Sequence, residues 1–332
     1  MKRTIKIKFV DFWSDFNSHS NFITLVLSEL YNIEISDNPD YLFYSTLGHD
    51  HADYNCVKIL FIGENVAPDF NTCDYAIGFD FMSFGDRYLR LPLYQIYSCF
   101  ADLEKKKSFD EAMVLARKFC CVVVSNSQFV APQRERFFRL LSEYKQVDSG
   151  GRLWNNIGGP VSDKLDFVSQ YKFNIAFENS SVLGYTTEKI MQPMVVNTLP
   201  IYWGNKLVAR DFNPQSFINV NDFPSLESAV QYIVDIDCDD SKYLDIMREP
   251  WIIDDNILQW KTRLRDFLVN IIEKPIDVAR YLSDYGHQKI YRSNLYSSYA
   301  IYGKTGSNLF RAYKFIDKVV EKARHILDNY KG

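Results

Sequence analysis

The sequence predicts an α/β fold of two Rossmann-like domains facing a cleft, followed by a helical carboxy-terminal segment. Three observations predict it. Short apolar runs alternate with helix-compatible stretches over the first hundred residues, a second alternation begins near Phe119, and helical spacing dominates beyond Ser225. A chain of 332 residues is long enough for two such domains, each with its own core. The divisions read from the sequence are residues 1–112, 113–275 and 276–332.

Ile5, Ile7 and Phe9 alternate with lysines, so Ile5 to Val10 reads as a first strand and not as the continuous apolar region of a signal peptide. Asn21 to Leu30 has helical spacing, and Tyr41 to Tyr44, Val57 to Ile62 and Tyr75 to Phe79 read as further strands. Leu103 to Lys118 is charged and helix-compatible. Phe119 to Val124, FCCVVV, is continuously apolar, as a parallel strand buried on both faces is. A helix is expected over Arg134 to Tyr144, and a glycine-rich loop from Ser149 to Pro160. From Leu309 to Leu327 an apolar stripe recurs at Leu309, Tyr313, Ile316, Val320, Ala323 and Leu327, with Lys314, Lys318, Lys322 and Arg324 largely off it. That pattern fits a helix packed on the body or on a second subunit, or one lying on a membrane surface.

Composition narrows the function classes. Hydrophobic residues at 47% and aromatics at 16% describe a globular protein, and a formal charge of −4 argues against a general nucleic-acid binder, which carries a basic face. Negatively charged substrates must then be met by local cations. Cys56, Cys73, Cys99, Cys120, Cys121 and Cys238 show no CxxC spacing and are too sparse for a disulfide scaffold, so they read as mostly reduced core residues. No stretch approaches the ~20 apolar residues of a membrane span.

The most informative stretch is Tyr171 to Gly204. Phe173, Ile175 and Phe177 recur at period two as a buried strand that delivers Glu178, Asn179 and Ser180 at its carboxyl end. A loop with Gly184 and Tyr185 follows, Thr186 or Thr187 can cap a helix starting with Glu188 and Lys189, and Leu199 to Tyr202 makes the next strand. Pro193 falls inside that helix and is expected to kink it or shorten it to one turn. In an open α/β sheet, ligands bind outside the carboxyl ends of the strands, where a helix amino terminus offers N–H groups to an anion. By pattern alone, the stretch is equally a surface βαβ unit with a solvated Glu-Lys pair.

The run YKFNIAFENS, GYTTEKI and PIYWG resembles the signature of the α-1,3/4-fucosyltransferases of glycosyltransferase family 10, especially the short bacterial members. FIGENVAPDF and DYAIGFDF followed by DRYLRLPLY resemble the same group, and the likeness runs over roughly residues 57 to 224. The resemblance implies the GT-B architecture and inverting transfer of fucose from GDP-β-L-fucose to a glycan hydroxyl. O3 of N-acetylglucosamine or glucose in a β-galactosyl disaccharide is the expected acceptor, giving Lewis-type structures such as those on bacterial lipopolysaccharide. It implies that Glu64 is the base, that Arg134 and Lys189 hold the pyrophosphate, that Asn179 and Tyr185 contact the donor, and that Glu188 holds sugar hydroxyls, those of the ribose. Read without it, Glu64 is a solvated residue after a strand, and Arg134 and Lys189 are surface cations like Arg136 and Arg139.

The chemistry suits these residue types. A sugar hydroxyl needs a carboxylate to take its proton as the new bond forms, and a departing nucleoside diphosphate needs fixed positive charge. No metal is required on this reading, although stimulation by Mn2+ or Mg2+ stays open. Asp235 and Asp237 mimic a metal-binding DxD but fall in a helical pattern, and His49, Asp50, His51 and Asp53 read as a polar turn. The expected partners are GDP-fucose and a glycan. An oligomer and a peripheral membrane contact through the carboxy-terminal helix stay open, and the expected place is the bacterial cytoplasm or the inner face of its membrane.

Overall fold

The computed structural model describes residues 2–104, 107–125 and 131–299. The first sheet contains β1 (Thr4–Val10), β2 (Asn32–Ile35), β3 (Tyr41–Tyr44), β4 (Val57–Phe61), β5 (Tyr75–Gly78) and β6 (Tyr88–Arg90), with α1 (Phe22–Ser28) between the first two. Its six strands are parallel in the order β2-β1-β3-β4-β5-β6. α2 (Glu111–Leu115) leads to a second sheet of β7 (Lys118–Val122), β8 (Val147–Ser149), β9 (Tyr171–Phe177), β10 (Leu199–Trp203) and β11 (Ile218–Asn219). These five strands are also parallel, in the order β11-β10-β9-β7-β8. α3 (Gln133–Tyr144), α4 (Lys164–Ser169) and α5 (Glu188–Val195) connect them, and α6 (Leu226–Asp237), α7 (Asp240–Arg248), α8 (Trp260–Ile272) and α9 (Ile276–Ala279) follow.

Both sheets reverse direction near their middle. The chain passes from β1 to β2 on one side and to β3 on the other, and likewise from β7 to β8 and then across to β9. Such switch points leave a crevice at the carboxyl ends of the two diverging strands. Every residue of β9 is buried, as befits a central parallel strand covered on both faces. Phe173 and Phe177 lose nearly all contact with solvent, each contributing about 1.5–3 kcal/mol through burial.

The loops at the carboxyl ends of the two sheets touch. Arg90, closing β6, forms a two-pronged pair with Asp211 at 2.9 and 2.8 Å. Asn65, after β4, donates to the Ser180 hydroxyl at 2.8 Å, and Phe79, after β5, packs edge-on against Tyr185 at 5.2 Å between ring centroids. Gly184 makes that last approach feasible: its φ is +84°, and a Cβ there would lie 2.6 Å from the Phe79 carbonyl oxygen. Gly184→Ala is therefore expected to cost about 1–3 kcal/mol and to push the 180–187 loop off the first domain. Thermal unfolding with a parallel nucleotide titration checks both effects.

Several elements differ from expectation. β2, β6, β8 and β11 are edge or near-edge strands of two to four residues, too short for a periodic signal. Leu103 to Lys118 is not one helix: a 3₁₀ turn over Ser98–Glu104 precedes α2, which restarts where the Asp110 carboxylate accepts from the Met113 amide. α5 runs through Pro193 to Val195 and is not cut to one turn, because this proline forgoes only the bond to the Lys189 carbonyl. α8 falls within residues 113–275 but crosses back to pack on α1 and β6 of the first domain. Tyr31 and Tyr41 secure it there by donating to the Glu273 carboxylate at 2.6 Å and to the Ile272 carbonyl at 3.2 Å. The stripe from Leu309 to Leu327 lies outside the described residues. Among those described, no helix is long and apolar enough to cross a membrane.

The two discounted clusters have structural partners. The Asp237 carboxylate accepts from Lys145 at 2.6 Å and Lys172 at 3.0 Å. Asp50–Asp53 do form a 3₁₀ turn, within which His51 is turned inward: it is buried, stacked on Tyr44, with its Nδ1 2.7 Å from Asp11. All six cysteines are free, with Cys73, Cys120 and Cys121 buried and Cys238 exposed.

Candidate active site

Two crevices form at the switch points. The one in the first domain is a cleft of about 690 Å3 lined by residues following β1, β3 and β4, among them Trp13, Phe16, Ser45, Thr46 and Glu64, and closed by Tyr97. That volume is within the ~300–1,000 Å3 usual for small-ligand sites. Glu64 is exposed on its wall, two residues beyond the buried Ile62. Aromatic faces beside a carboxylate and hydroxyls suit a sugar, which has both apolar C–H faces and polar edges.

The second crevice opens beyond β7 and β9. Val124, Ser125, Arg134, Lys164, Phe177, Asn179 and Lys189 line it, around about 240 Å3. Arg134 is 3% exposed, and its Nη2 donates to the Phe177 carbonyl at 2.8 Å and to Asn179 Oδ1 at 2.7 Å. Its Nε has no partner among the described residues, which leaves a buried donor free for an anion. Burial disfavours the charged guanidinium, while Glu178, Tyr185 and Glu188 oppose that effect only in part.

Lys189 lies among acids. Its ammonium is 3.3 Å from Glu178 and 3.6 Å from Glu188, and it donates to the Thr187 hydroxyl at 2.9 Å. Burial lowers its pKa, but Glu178 and Glu188 outweigh that and hold it above the ordinary lysine value. Glu178 is completely buried, and burial raises its carboxyl pKa despite Lys189 and two bonds of 2.7 Å from the Thr187 amide and hydroxyl. Thr187 does occupy the cap position of α5, yet its hydroxyl donates to Glu178 and accepts from no amide of the helix. The first-turn amides of α5 consequently receive no side-chain cap from it. Gly204 allows this packing, since a Cβ there would lie 2.5 Å from the Glu178 side chain.

Glu188 responds differently from Glu178. Burial would raise its pKa, but Lys189 and Lys164 overcome that and hold it low, so it stays ionised. The Tyr97 hydroxyl faces it from the first domain, and burial together with Glu188 raises the Tyr97 pKa well above the usual phenol value. Tyr185 is 4% exposed, and its pKa is raised by burial, Glu178 and Glu64. Glu64 therefore lies near Tyr185, and its neighbour Asn65 bonds across to Ser180 of the second domain. The structure brings Arg134, Asn179, Glu188 and Lys189 together and sets Tyr185 between them and Glu64.

Lys164 is the residue that sequence reasoning missed. It opens α4 directly after the capping Asp163, and burial together with Lys189 lowers its pKa against the attraction of Glu188 and Glu178. A cation at a helix amino terminus opposes the helix dipole, and that unfavourable placement was the available signal. Lys164→Ala is expected to lower affinity for a nucleoside diphosphate about 10- to 100-fold with little loss of stability, the size of a charged hydrogen bond. Calorimetric titration beside a melting curve checks it.

Comparison with known proteins places this arrangement. Residues 7–97 match the α-(1,3)-fucosyltransferase FucT N-terminal domain, and residues 115–285 match the glycosyltransferase family 10 (fucosyltransferase) C-terminal domain. The chain belongs to glycosyltransferase family 10. It is similar to the α-(1,3)-fucosyltransferase FucT of Helicobacter pylori, 35% identical over 287 residues, covering 74% of this chain and 60% of that protein. A putative fucosyltransferase of Acanthamoeba polyphaga mimivirus is 30% identical over 210 residues, 59% of this chain and 33% of that protein. The chain therefore spans about a third to three fifths of the length of these relatives.

A crystal structure of an α1,3-fucosyltransferase with GDP-fucose superposes with a TM-score of 0.70 at 32% identity, covering 82% of this chain and 92% of that one. An Anabaena protein in complex with UDP-glucose matches at TM-score 0.51 and 9% identity, covering 80% of this chain and all of that one, a likeness of fold alone. Two parallel-sheet domains around a cleft are the GT-B fold, which family 10 shares with such proteins.

Proposed function

We propose that this family 10 protein transfers L-fucose from GDP-β-L-fucose to a glycan hydroxyl with inversion at the anomeric carbon. The observation that carries the reading is the bridge between the crevices: the Asn65–Ser180 bond sets Glu64 beside the loop that leads to Glu188 and Lys189. GDP occupies the second crevice, its diphosphate against Arg134, Lys189 and Lys164, and Glu188 and Asn179 hold donor hydroxyls. The acceptor lies in the aromatic cleft of the first domain. Its hydroxyl oxygen attacks the anomeric carbon, Glu64 takes the hydroxyl proton, and the bond to the diphosphate oxygen breaks with its electron pair leaving on GDP. Fixed cations and the uncapped amides of α5 stabilise that charge where it develops.

O3 of N-acetylglucosamine or glucose in a β-galactosyl disaccharide is the acceptor this reading favours, on the strength of the sequence likeness. Nucleotide binding tests the donor assignment: GDP should bind and stabilise the protein well above UDP, and a preference for UDP would replace fucose with another sugar. Because cations of the protein stand where the diphosphate leaves, turnover is expected to persist in a chelator. Complete loss restored by one specific divalent ion would contradict this.

A further inference from the structure

The amino-terminal edge of the first sheet carries a cation cluster remote from the cleft. Lys58 is the second residue of β4, at the opposite end of the strand from Glu64. Its side chain is buried, and its ammonium donates to the Tyr296 hydroxyl at 3.2 Å while lying 5.0 Å from that ring's centroid. It has no ion-pair partner among the described residues. Asp74 lies nearby, but its two oxygens accept from the amides of Lys58 at 2.8 Å, Tyr281 at 2.6 Å and Leu282 at 2.8 Å. Arg292 is 9% exposed: its Nη2 donates to the Ser283 carbonyl at 2.7 Å, and its Nη1 has no hydrogen-bond partner among the described residues. Arg280 donates to Asn55 at 2.8 Å and pairs with Asp284 at 3.2 Å. Asp284 is half-exposed and stands 3.8 Å from Arg292, too far for a good hydrogen bond.

Lys58, Arg280 and Arg292 line one pocket of about 180 Å3, together with Asp53, Tyr54, Cys56 and Tyr296. A buried guanidinium nitrogen without a hydrogen bond and a buried ammonium without a counter-charge are costly unless an anion completes them. Burial, joined by Arg292 and Arg280 and opposed by Cys56 and Asp74, lowers the Lys58 pKa to about 8, the state of a cation short of a counter-charge. At about 180 Å3 the pocket is smaller than either crevice of the candidate active site, and with three cations on its wall it suits a single small anionic group.

We propose that this pocket binds a tetrahedral oxyanion of the phosphate or sulfate class, held by Lys58, Arg292 and Arg280. The anion then joins the start of β4 to the helix over residues 286–299, which supplies Arg292 and Tyr296. Such a ligand stabilises the native chain by mass action and slows opening of that helix. It is independent of the donor site, which also favours phosphates, and the test must separate the two.

Melting temperature and amide exchange of residues 286–299 are measured against inorganic phosphate, sulfate and glycerol 3-phosphate, with sodium chloride at matched ionic strength. The variants are Lys58→Met, Lys58→Arg, Arg280→Gln and Lys189→Ala. The expected result is a rise of a few degrees and slowed exchange in the wild type and in Lys189→Ala. Lys58→Met, which removes an unpaired buried charge, should be at least as stable as wild type in chloride yet unresponsive, and Lys58→Arg should respond. If Lys58→Met does not fold, Arg280→Gln, altering a more exposed cation, should show the weakened response. A response to inorganic phosphate identifies a free ion, and one confined to glycerol 3-phosphate identifies a phosphate carried on a larger molecule. No response in the wild type, or equal responses in the wild type and the cation variants that fold, overturns the proposal.

Discussion

Glu64→Gln is expected to lower fucosyl transfer by about 10²- to 10⁴-fold, the usual contribution of a positioned general base, while GDP affinity stays unchanged. The amide keeps the shape of the carboxylate and can still hydrogen-bond the acceptor, so the loss falls on kcat. Nucleotide affinity is spared because Glu64 lines the first-domain cleft whereas Arg134 and Lys189 line the second. Steady-state kinetics with a GDP titration on the same preparation measures both quantities. Near-normal turnover would remove Glu64 from the mechanism and leave proton removal to another group in the cleft.

Lys189→Ala is expected to act on function and on stability together. On the proposed function its ammonium meets charge that grows as GDP departs, so both GDP affinity and turnover should fall, turnover further than affinity. The same ammonium neutralises Glu178, which is completely buried 3.3 Å away. Removing one partner of a buried ion pair costs about 3–5 kcal/mol, because the other charge is left uncompensated. The pH dependence has a definite sign. Glu178 already has a raised folded-state pKa, and loss of Lys189 raises it further. A carboxyl whose folded pKa exceeds its unfolded pKa binds more protons when folded, so its stability cost is absent below the unfolded pKa and grows as pH rises through that window. The variant should therefore lie closest to wild type in mildly acidic buffer and fall away towards neutral pH. Denaturant unfolding at several pH values measures this, and a pH-independent deficit would contradict the pairing. Arg134→Ala should also weaken GDP binding, and if both side chains address one diphosphate, as proposed, the double variant should depart from additivity.

The parts of this molecule that could be read from the sequence are those in which local pattern and tertiary role coincide. β4 and β9 are central parallel strands buried along their whole length, and β7 is buried over its last three residues, so their apolar residues mark them, and polar residues follow each at its carboxyl edge. Glu64 and Lys189 stood out through the family resemblance of FIGENVAPDF and GYTTEKI, and Arg134 as the start of the helix expected after β7. What stayed hidden depends on partners distant in sequence. The identity of α8 as a first-domain element rests on Tyr31 and Tyr41, more than two hundred residues away. Thr187 looked like an ordinary cap because nothing local reveals that Glu178 will be buried against it. Lys164 carried its signal as an unfavourable placement, intelligible only once Glu188 and Glu178 are seen beside it.

The measurement that tests the central claim most directly is product analysis with GDP-β-L-fucose labelled at the anomeric carbon and a β-galactosyl-N-acetylglucosamine acceptor, read by NMR. The account predicts one new α-L-fucosyl linkage to the N-acetylglucosamine, formed in step with GDP and formed about 10²- to 10⁴-fold more slowly with Glu64→Gln. A β-fucoside would contradict direct displacement with inversion, and release of free fucose with no new linkage would contradict an acceptor site in the first-domain cleft.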